Sequence, residues 1–309
     1  VIRSRGAAAN GVQQTVIVNA TIQSFASYMH ASHLENNVNF GTGDVIDGPV
    51  YVNDQIHVTG SPRFLQDVSS AASSVDYNGG ANSSVFEGGL TLNAVPLDFT
   101  GQASGDYVTE VKNEASATGL SLTGNYKFNF RSDGTFVYTN MAGGAANTVR
   151  TGSVAGVNGA IYVSGDAWVQ GVVKGQVTLA AQDAIYVSNS VTYASAASPN
   201  PWNTNFVATA VTDTLGLIAS NQVQIVGTNA ITLHAALMVT SDGGGFNAAS
   251  YTNAIGKPPI NFFGSLSYFR RGPVGQATTP WRGYSKNYKF DTRFISDAPP
   301  NFPYLVYIF

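Results

Sequence analysis

The densest cluster of chemically versatile side chains lies between Arg270 and Arg293. Its cations are interleaved with aromatic rings, and the candidate contact residues are Arg270, Arg271, Arg282, Lys286, Lys289, Arg293, Trp281 and Tyr284. Cations can neutralise phosphates while exposed rings stack on unpaired bases, so this composition predicts a polyanion or DNA contact. The region from Lys257 to Arg293 holds seven of the fifteen basic residues and one acid, Asp291, which indicates a local positive field.

The same stretch also fits a structural closure. In KNYKFDTRF apolar and charged residues alternate, so Tyr288, Phe290 and Phe294 could pack inward while Asp291 pairs with Arg293 or Arg271. Such ionic clasps would cover the strand edges at the end of a stack of strands. A binding surface and a cap are therefore both open for this stretch.

Pairs of carboxylates are the second candidate for chemistry. Asp44 with Asp47, Asp166 with Asp183, and Asp213 with Asp242 could each face one another across neighbouring strands. Glycosidases need two carboxyl groups about 5 to 10 Å apart, one of them with a raised pKa. Most of these acids stand in Ser/Gly/Asp turns, where Asp commonly bonds its own backbone. We therefore expect structural roles for them and a protein that is not an enzyme.

Other catalytic or metal-binding patterns are weak or missing in the sequence. His30, His33 and Glu35 could face a metal, but no HExxH pattern or third-ligand spacing follows, so a helix-end role is favoured. There is no cysteine and no GxSxG elbow. The sequence predicts no metal site and no cofactor.

Composition and repeats predict a mainly β fold. Only 11% of residues are charged, whereas small and β-branched residues abound. One template of apolar strand, polar turn and two spaced apolar residues recurs from Val50, Ile161, Ile185 and Leu217, and a fifth apolar start follows at Leu237. The glycine that closes the first copy, Gly60, recurs as Gly171 and Gly227. Repetition of both strands and turns favours a β-solenoid (parallel β-helix) over a β-sandwich.

The expected organisation follows from these patterns. Residues 1–40 would carry an N-terminal α-helix, because apolar residues between Asn10 and His30 fall at helical spacing. Residues 41–309 would form the β-solenoid domain. An excursion at 106–149, with a short helix in DYVTEVKNEASATGLSL and a hairpin around Asp133-Gly134, would pack beside it, and 257–309 would form a C-terminal cap.

Several segments together resemble a known family. They are DGPVYVND, GAIYVSGDAWVQGVVKGQVTLAAQDAIYVSNSVTYA, DTLGLIASNQVQI and the closing RRGPVG, RGYSKNYKFDTRF and APPNFP. They resemble an exported bacterial β-solenoid family with a prepilin-like N-terminus, of the Thermus and Deinococcus type, to which the large minor pilin ComZ is related. The likeness runs from about Phe40 to Pro303.

The resemblance implies a membrane-anchoring helix upstream of Val1, absent from this chain, whose soluble half would be Asn10 to His30. It implies a location at the cell surface and other pilin or envelope proteins as partners. We expect a non-enzymatic, type IV pilus-associated structural and binding protein, with DNA in uptake, or polysaccharide in adhesion, as candidate partners. Alternatives are an envelope or surface-layer scaffold subunit and a carbohydrate-active β-helix enzyme.

Overall fold

The structure, a computed structural model, describes residues 2–8, 10–18, 23–78, 85–101, 106–141, 148–197, 200–227, 229–253, 255–276, 280 and 282–305. Within these ranges the prediction of a mainly β chain is confirmed. The first strands are β1 (Ile2–Ala7), β2 (Gln13–Val18), β3 (His30–Leu34), β4 (Val45–Ile46), β5 (Val50–Val52), β6 (His57–Thr59), β7 (Arg63–Phe64), β8 (Val68–Ser70), β9 (Asp76–Asn78) and β10 (Leu90–Thr91).

The helix α1 (Tyr107–Ala117) separates these strands from the rest. The later strands are β11 (Leu120–Leu122), β12 (Tyr126–Phe130), β13 (Thr135–Asn140), β14 (Val149–Ser153), β15 (Ala160–Val163), β16 (Ala167–Val173), β17 (Gln176–Ala181), β18 (Ala184–Tyr193), β19 (Thr214–Ala219), β20 (Gln222–Ile225), β21 (Ile231–Val239), β22 (Gly245–Ala248), β23 (Lys257–Arg270), β24 (Gly275–Gln276) and β25 (Arg282–Phe290). Short 3-10 turns occupy Phe25–Ser27, Val154–Val157, Ala194–Ala196, Ala208–Ala210 and Thr292–Ile295.

The predicted N-terminal helix from Asn10 to His30 is wrong. Strand β2 pairs antiparallel with β1, from Ile2 opposite Val18 to Ala7 opposite Gln13. The β-branched run from Thr15 to Val18 is stiff about its first side-chain torsion and favours a strand over a helix. The turn between the two strands contains an Asn-Gly pair, and its glycine, Gly11, has a φ of +79°.

Ten parallel strands form one continuous ladder, which we call the main ladder. Their spatial order is β10, β8, β5, β3, β23, β21, β19, β17, β15, β11. One register row crosses all ten strands and consists of Leu90, Val68, Val50, His30, Leu266, Leu237, Leu217, Leu179, Ile161 and Leu120. His30 is the one polar residue of this row, and it stands where β3 meets β23.

The spatial order of the main ladder differs from the order of the sequence. The chain enters at β3, builds outward to β10, crosses to the far end at β11 and builds back to β23, which pairs with β3. The segment predicted as an excursion, 106–149, thus contributes β11 to the main ladder and β12, which pairs in parallel with β16. The predicted C-terminal cap contributes β23, which has neighbours on both edges.

The helix α1 lies along the outer side of the main ladder. Asp106 caps it by accepting a hydrogen bond from the Val108 backbone N–H at 3.1 Å. Its buried Val108 and Val111 belong to the same cluster as Tyr162 and Ile218, which point outward from β15 and β19. Because α1 covers this side, the strands β15, β17 and β19 bury residues of both faces.

A second ladder runs beside the first, in the order β12, β16, β18, β20, β22. The template copy at Ile185 lies here, opposite Ala167 and Val223, whereas the copies at Val50, Ile161, Leu217 and Leu237 share the main-ladder row. Strands on both ladders bury apolar side chains in one interior cluster. The two ladders therefore share one sequence pattern, and this pattern does not tell which ladder a template copy belongs to.

A substitution at Gly171 tests how closely β12 and β16 approach each other in the second ladder. It has a φ of +110°, and a Cβ placed on it would collide with the Phe130 carbonyl oxygen. We expect Gly171→Ala to lower the free energy of unfolding by about 2 to 4 kcal/mol, from backbone strain and overpacking together. Gly124 has a similar φ of +102° with nothing within 4 Å of such a Cβ, so Gly124→Ala should cost about 1 kcal/mol. Equal urea midpoints for the two variants would contradict the close approach.

Candidate functional site

The predicted contact residues occupy three neighbouring elements. Arg270 and Arg271 end and follow β23, Arg282, Tyr284, Lys286 and Lys289 lie on β25, and Arg293 lies in the 3-10 turn after it. Trp281 lies outside the described residues. Strands β23 and β25 run in parallel, with Ile260 opposite Lys286 and Phe263 opposite Lys289. The pairing covers the first part of β23, whereas Arg270 lies at its other end, opposite Leu34 of β3.

The exposed and half-buried cations of the set each have an intramolecular partner. Arg270 donates to Asp242, and Lys286 lies 2.9 Å from an oxygen of Asp44. Lys289 donates to the carbonyl of Pro201 at 2.6 Å, and Arg282 donates to that of Thr252 at 2.8 Å. A phosphate group would therefore have to replace bonds that the protein already makes.

Arg293 is buried and acts as a clasp. Its Nε donates to Asp291 at 2.9 Å, and its Nη1 donates to the carbonyls of Val211 and Asp213 at 2.9 and 3.1 Å. The predicted pairing of Asp291 with Arg293 is confirmed. Tyr284 is also buried, and its hydroxyl donates to the Gly227 carbonyl at 2.5 Å.

Arg271 lies in a buried polar network where β3 meets β23, which we call the junction network. It consists of His30, Ser32, Glu35, Tyr268 and Arg271. Arg271 donates to Glu35 at 2.7 Å, and Glu35 lies 2.8 Å from His30 and accepts from Ser32. The other ring nitrogen of His30, Nδ1, lies 2.8 Å from the Tyr268 hydroxyl. These bonds link the N-terminal half of the chain, which contains β3, to the C-terminal half, which contains β23.

Electrostatics keep the junction network ionised at Glu35 and Arg271. Burial alone would raise the pKa of Glu35, but the Arg271 guanidinium, followed by His30 and Ser32, outweighs burial and holds this pKa at about 2. Burial lowers the pKa of His30 below 6.5, although Glu35 opposes the shift. At neutral pH the network is a hydrogen-bonded carboxylate–guanidinium pair with an imidazole attached.

The helix-end role predicted for His30 and His33 is wrong, because both residues lie on strand β3. His33 faces Asn53 at 3.1 Å, while Glu35 is committed to Arg271. Among the residues that the structure describes, no group of three or more His, Cys, Asp or Glu side chains could hold a metal ion.

Each predicted carboxylate also has a structural partner. Asp213 accepts from the backbone N–H groups of Gly175 and Ser195 at 2.6 and 2.7 Å, and Asp47 accepts from Gln66 at 3.1 Å. Asp44 and Asp242 are paired with cations of the predicted contact set.

Asp166 and Asp183 are close enough to interact electrostatically. Asp166 accepts from the Ala184 N–H at 3.1 Å, and Asp183 accepts from Asn221 at 3.2 Å. Burial, and secondarily the charge of Asp183, raises the pKa of Asp166.

Sequence reasoning missed a cleft of about 400 Å³ beside β21, β23 and β25. Its polar side chains include Thr232, Asn261 and Asn287, which stand opposite one another across these three strands. Trp202 and His234 also line it. Because the residues come from distant segments, no spacing in the sequence could have found them; the pairing of the strands creates the site.

Comparisons with protein families, curated proteins and solved structures give no match for this chain. None of the described helices is long and apolar enough to cross a membrane. The fold and its contacts define a mainly β protein whose main ladder contains a buried ionic network where β3 meets β23.

The junction network predicts a specific acid sensitivity. Because the folded pKa of Glu35 lies below its ordinary value of 4.5, its ionisation stabilises the fold above about pH 4.5, and this stability is lost as pH falls towards 2. We expect Glu35→Gln to remove roughly 3 kcal/mol of this pH-dependent stability and, at pH 7, to destabilise by about 3 kcal/mol because Arg271 stays buried and unpaired. Urea unfolding from pH 7 to 2 measures both effects.

Glu87 provides the matched control, because it pairs with Arg63 on the surface, where the two side chains are 41% and 56% exposed. Glu87→Gln should leave stability at pH 7 nearly unchanged, since exposed ion pairs contribute little. If Glu35→Gln behaved as Glu87→Gln does over the whole pH range, the junction network would not be ionised as described.

Proposed function

We propose that the two ladders are faces of a β-solenoid. The support is the common register row of the main ladder, together with interior side chains that both ladders bury in one cluster. In such an architecture each coil covers the apolar side of its neighbour, and stability comes from stacking. The solenoid would be a rigid body that suits display or scaffolding.

We further propose that the protein is a non-enzymatic, cell-surface or type IV pilus-associated structural and binding protein of the minor-pilin kind. The observation that carries this proposal is that the segment after the β1–β2 hairpin meets the C-terminal segment. The Phe25 N–H donates to the Pro303 carbonyl at 3.0 Å, and the Leu305 N–H donates to the Gln23 carbonyl at 2.8 Å. The first of these segments lies beside β23, in the middle of the main ladder, where the Ser267 hydroxyl donates to the Phe25 carbonyl at 3.2 Å.

Attachment through the N-terminal segment would hold the main ladder by its middle and leave its two ends, at β10 and β11, free. Other pilin or envelope proteins would bind this segment, through the β1–β2 hairpin in place of the expected helical stem. DNA or polysaccharide would bind the displayed faces. The DNA contact through the candidate contact residues between Arg270 and Arg293 stays a prediction.

An envelope or surface-layer scaffold would use the same geometry, and the proteins that co-purify with the chain distinguish it from a pilus component. A carbohydrate-active β-helix enzyme is the second candidate function. The raised pKa of Asp166 beside Asp183 is the observation that favours it.

Location and activity test the proposal together. In intact cells that produce the protein naturally, we expect an antibody against the folded chain to label the cell surface and sheared pili, and we expect the purified chain to release no reducing ends from polysaccharides. Label that appears only after permeabilisation would contradict surface display. Release of reducing ends that is lost in Asp166→Asn would contradict the non-enzymatic proposal.

A further inference from the structure

The outward side of the second ladder carries a row of side chains that are partly open to solvent. In β12, β16, β18 and β20, buried residues largely alternate with more exposed ones, as in strands that have one side in the core. The more exposed residues stand opposite one another in register and form the row Lys127, Trp168, Tyr186 and Gln224. We call this side of the second ladder the outer face.

Two aromatic rings occupy the centre of this row. Trp168 and Tyr186 stack with their ring centroids 4.9 Å apart and their planes inclined by 30°. Both residues are half-buried, so the ring pair keeps part of its surface in contact with solvent. The next residues along the strands, Val169 and Val187, are fully buried in the interior cluster and hold the backbone beneath the rings. The ring pair is therefore an open aromatic surface on a well-packed sheet.

Amide side chains border the ring pair. Gln170 lies two residues after Trp168, and its Oε1 accepts from the Ser188 hydroxyl at 3.3 Å, which leaves its Nε2 as a donor. On the other side, Gln224 donates from Nε2 to Asn247 Oδ1 at 2.7 Å, which leaves its Oε1 as an acceptor. Both glutamines are half-buried. The surroundings of the rings thus offer uncharged donors and acceptors at the surface.

Charge narrows the class of ligand. Burial, followed by the charge of Asp166 and then that of Asp183, raises the pKa of Tyr186, because both carboxylates lie near its hydroxyl. A polyanion on the rings would be repelled by these carboxylates, whereas a sugar hydroxyl can donate to them. The row itself contains one cation, the exposed Lys127. The outer face therefore suits a neutral chain better than a nucleic acid.

We infer that the outer face binds a neutral polysaccharide, with a sugar ring against Trp168 and Tyr186 and with hydroxyl groups on the neighbouring amides. Sugars combine apolar C–H surfaces with hydroxyl groups, and aromatic rings bordered by amides match both. The inference rests on the proposed binding role and selects polysaccharide over DNA for this face. Its test uses the purified chain, so a failure of surface labelling would refute surface display and leave this binding unaffected.

Neutral soluble polysaccharides are the direct probes of the outer face. The purified full chain is titrated in a calorimeter with galactomannan, xyloglucan, mixed-linkage β-glucan and dextran, and with single-stranded DNA in parallel. We expect saturable binding of at least one of the polysaccharides. Trp168→Ala should weaken that binding at least about tenfold and Gln170→Ala about threefold, as for a central and a bordering contact.

Tyr186→Ala and Tyr77→Ala form the matched pair of variants, because Tyr77 is a tyrosine 37% exposed on β9, outside the second ladder. Tyr186→Ala should weaken binding about tenfold, whereas Tyr77→Ala should leave it unchanged. Urea unfolding verifies that the variants fold, and Gln170→Ala decides the result if a ring variant does not.

Three outcomes would overturn the inference. The first is that none of the polysaccharides binds, and the second is that the folded Trp168, Tyr186 and Gln170 variants bind as the native chain does or no more weakly than Tyr77→Ala. The third is that single-stranded DNA binds instead and is released by Lys127→Ala, because the outer face would then be a polyanion site.

Discussion

The parallel pairing of β3 with β23 is the constraint on which the rest of the structure depends. In chain order, β3 in the middle of the main ladder comes first, and the strands on its two sides follow. The edge of β3 that faces β23 gains its partner only where Leu266 lies opposite His30. The junction network is built at this contact, where Arg271 reaches Glu35 across 236 residues of sequence. The aromatic face of Phe40, 3.9 Å from the Arg271 guanidinium, adds a cation–π contact from the N-terminal half.

The junction network buries two charged side chains, Glu35 and Arg271. Burying an ion pair costs desolvation that its attraction only partly repays, so an apolar contact would serve stability as well. What the polar residues add is register. A slip of one residue in β3 would turn His30 to the other face of the sheet, away from Tyr268, and leave both groups without their partners. Asp291 with Arg293 and Asp44 with Lys286 form further ion pairs, and together these pairs engage cations that the sequence offered for polyanion binding.

The sequence predicted what depends on local pattern. Apolar runs punctuated by turns predicted strands at Val50, Ile161, Ile185, Leu217 and Leu237, and all five form, although the strand at Ile185 belongs to the second ladder. The short helix predicted in the 106–149 segment also forms. The N-terminal helix failed because β-branched residues overrode helical spacing. The order of the strands in the main ladder, the junction network and the Trp202 cleft depend on which distant segments pair, and no local pattern carries that information.

Hydrogen exchange tests the central claim, that the β3–β23 contact makes the two halves one cooperative unit. In the native chain, the amides of β5 and β8 should exchange with the same opening free energy as those of β17 and β19. Replacing Arg271 by Met should selectively accelerate exchange in β3, β5 and β8, because the buried Glu35 charge loses its partner, while β17 and β19 stay protected. The account is contradicted if β5 and β8 already open independently in the native chain, or if the Arg271 substitution leaves their exchange unchanged.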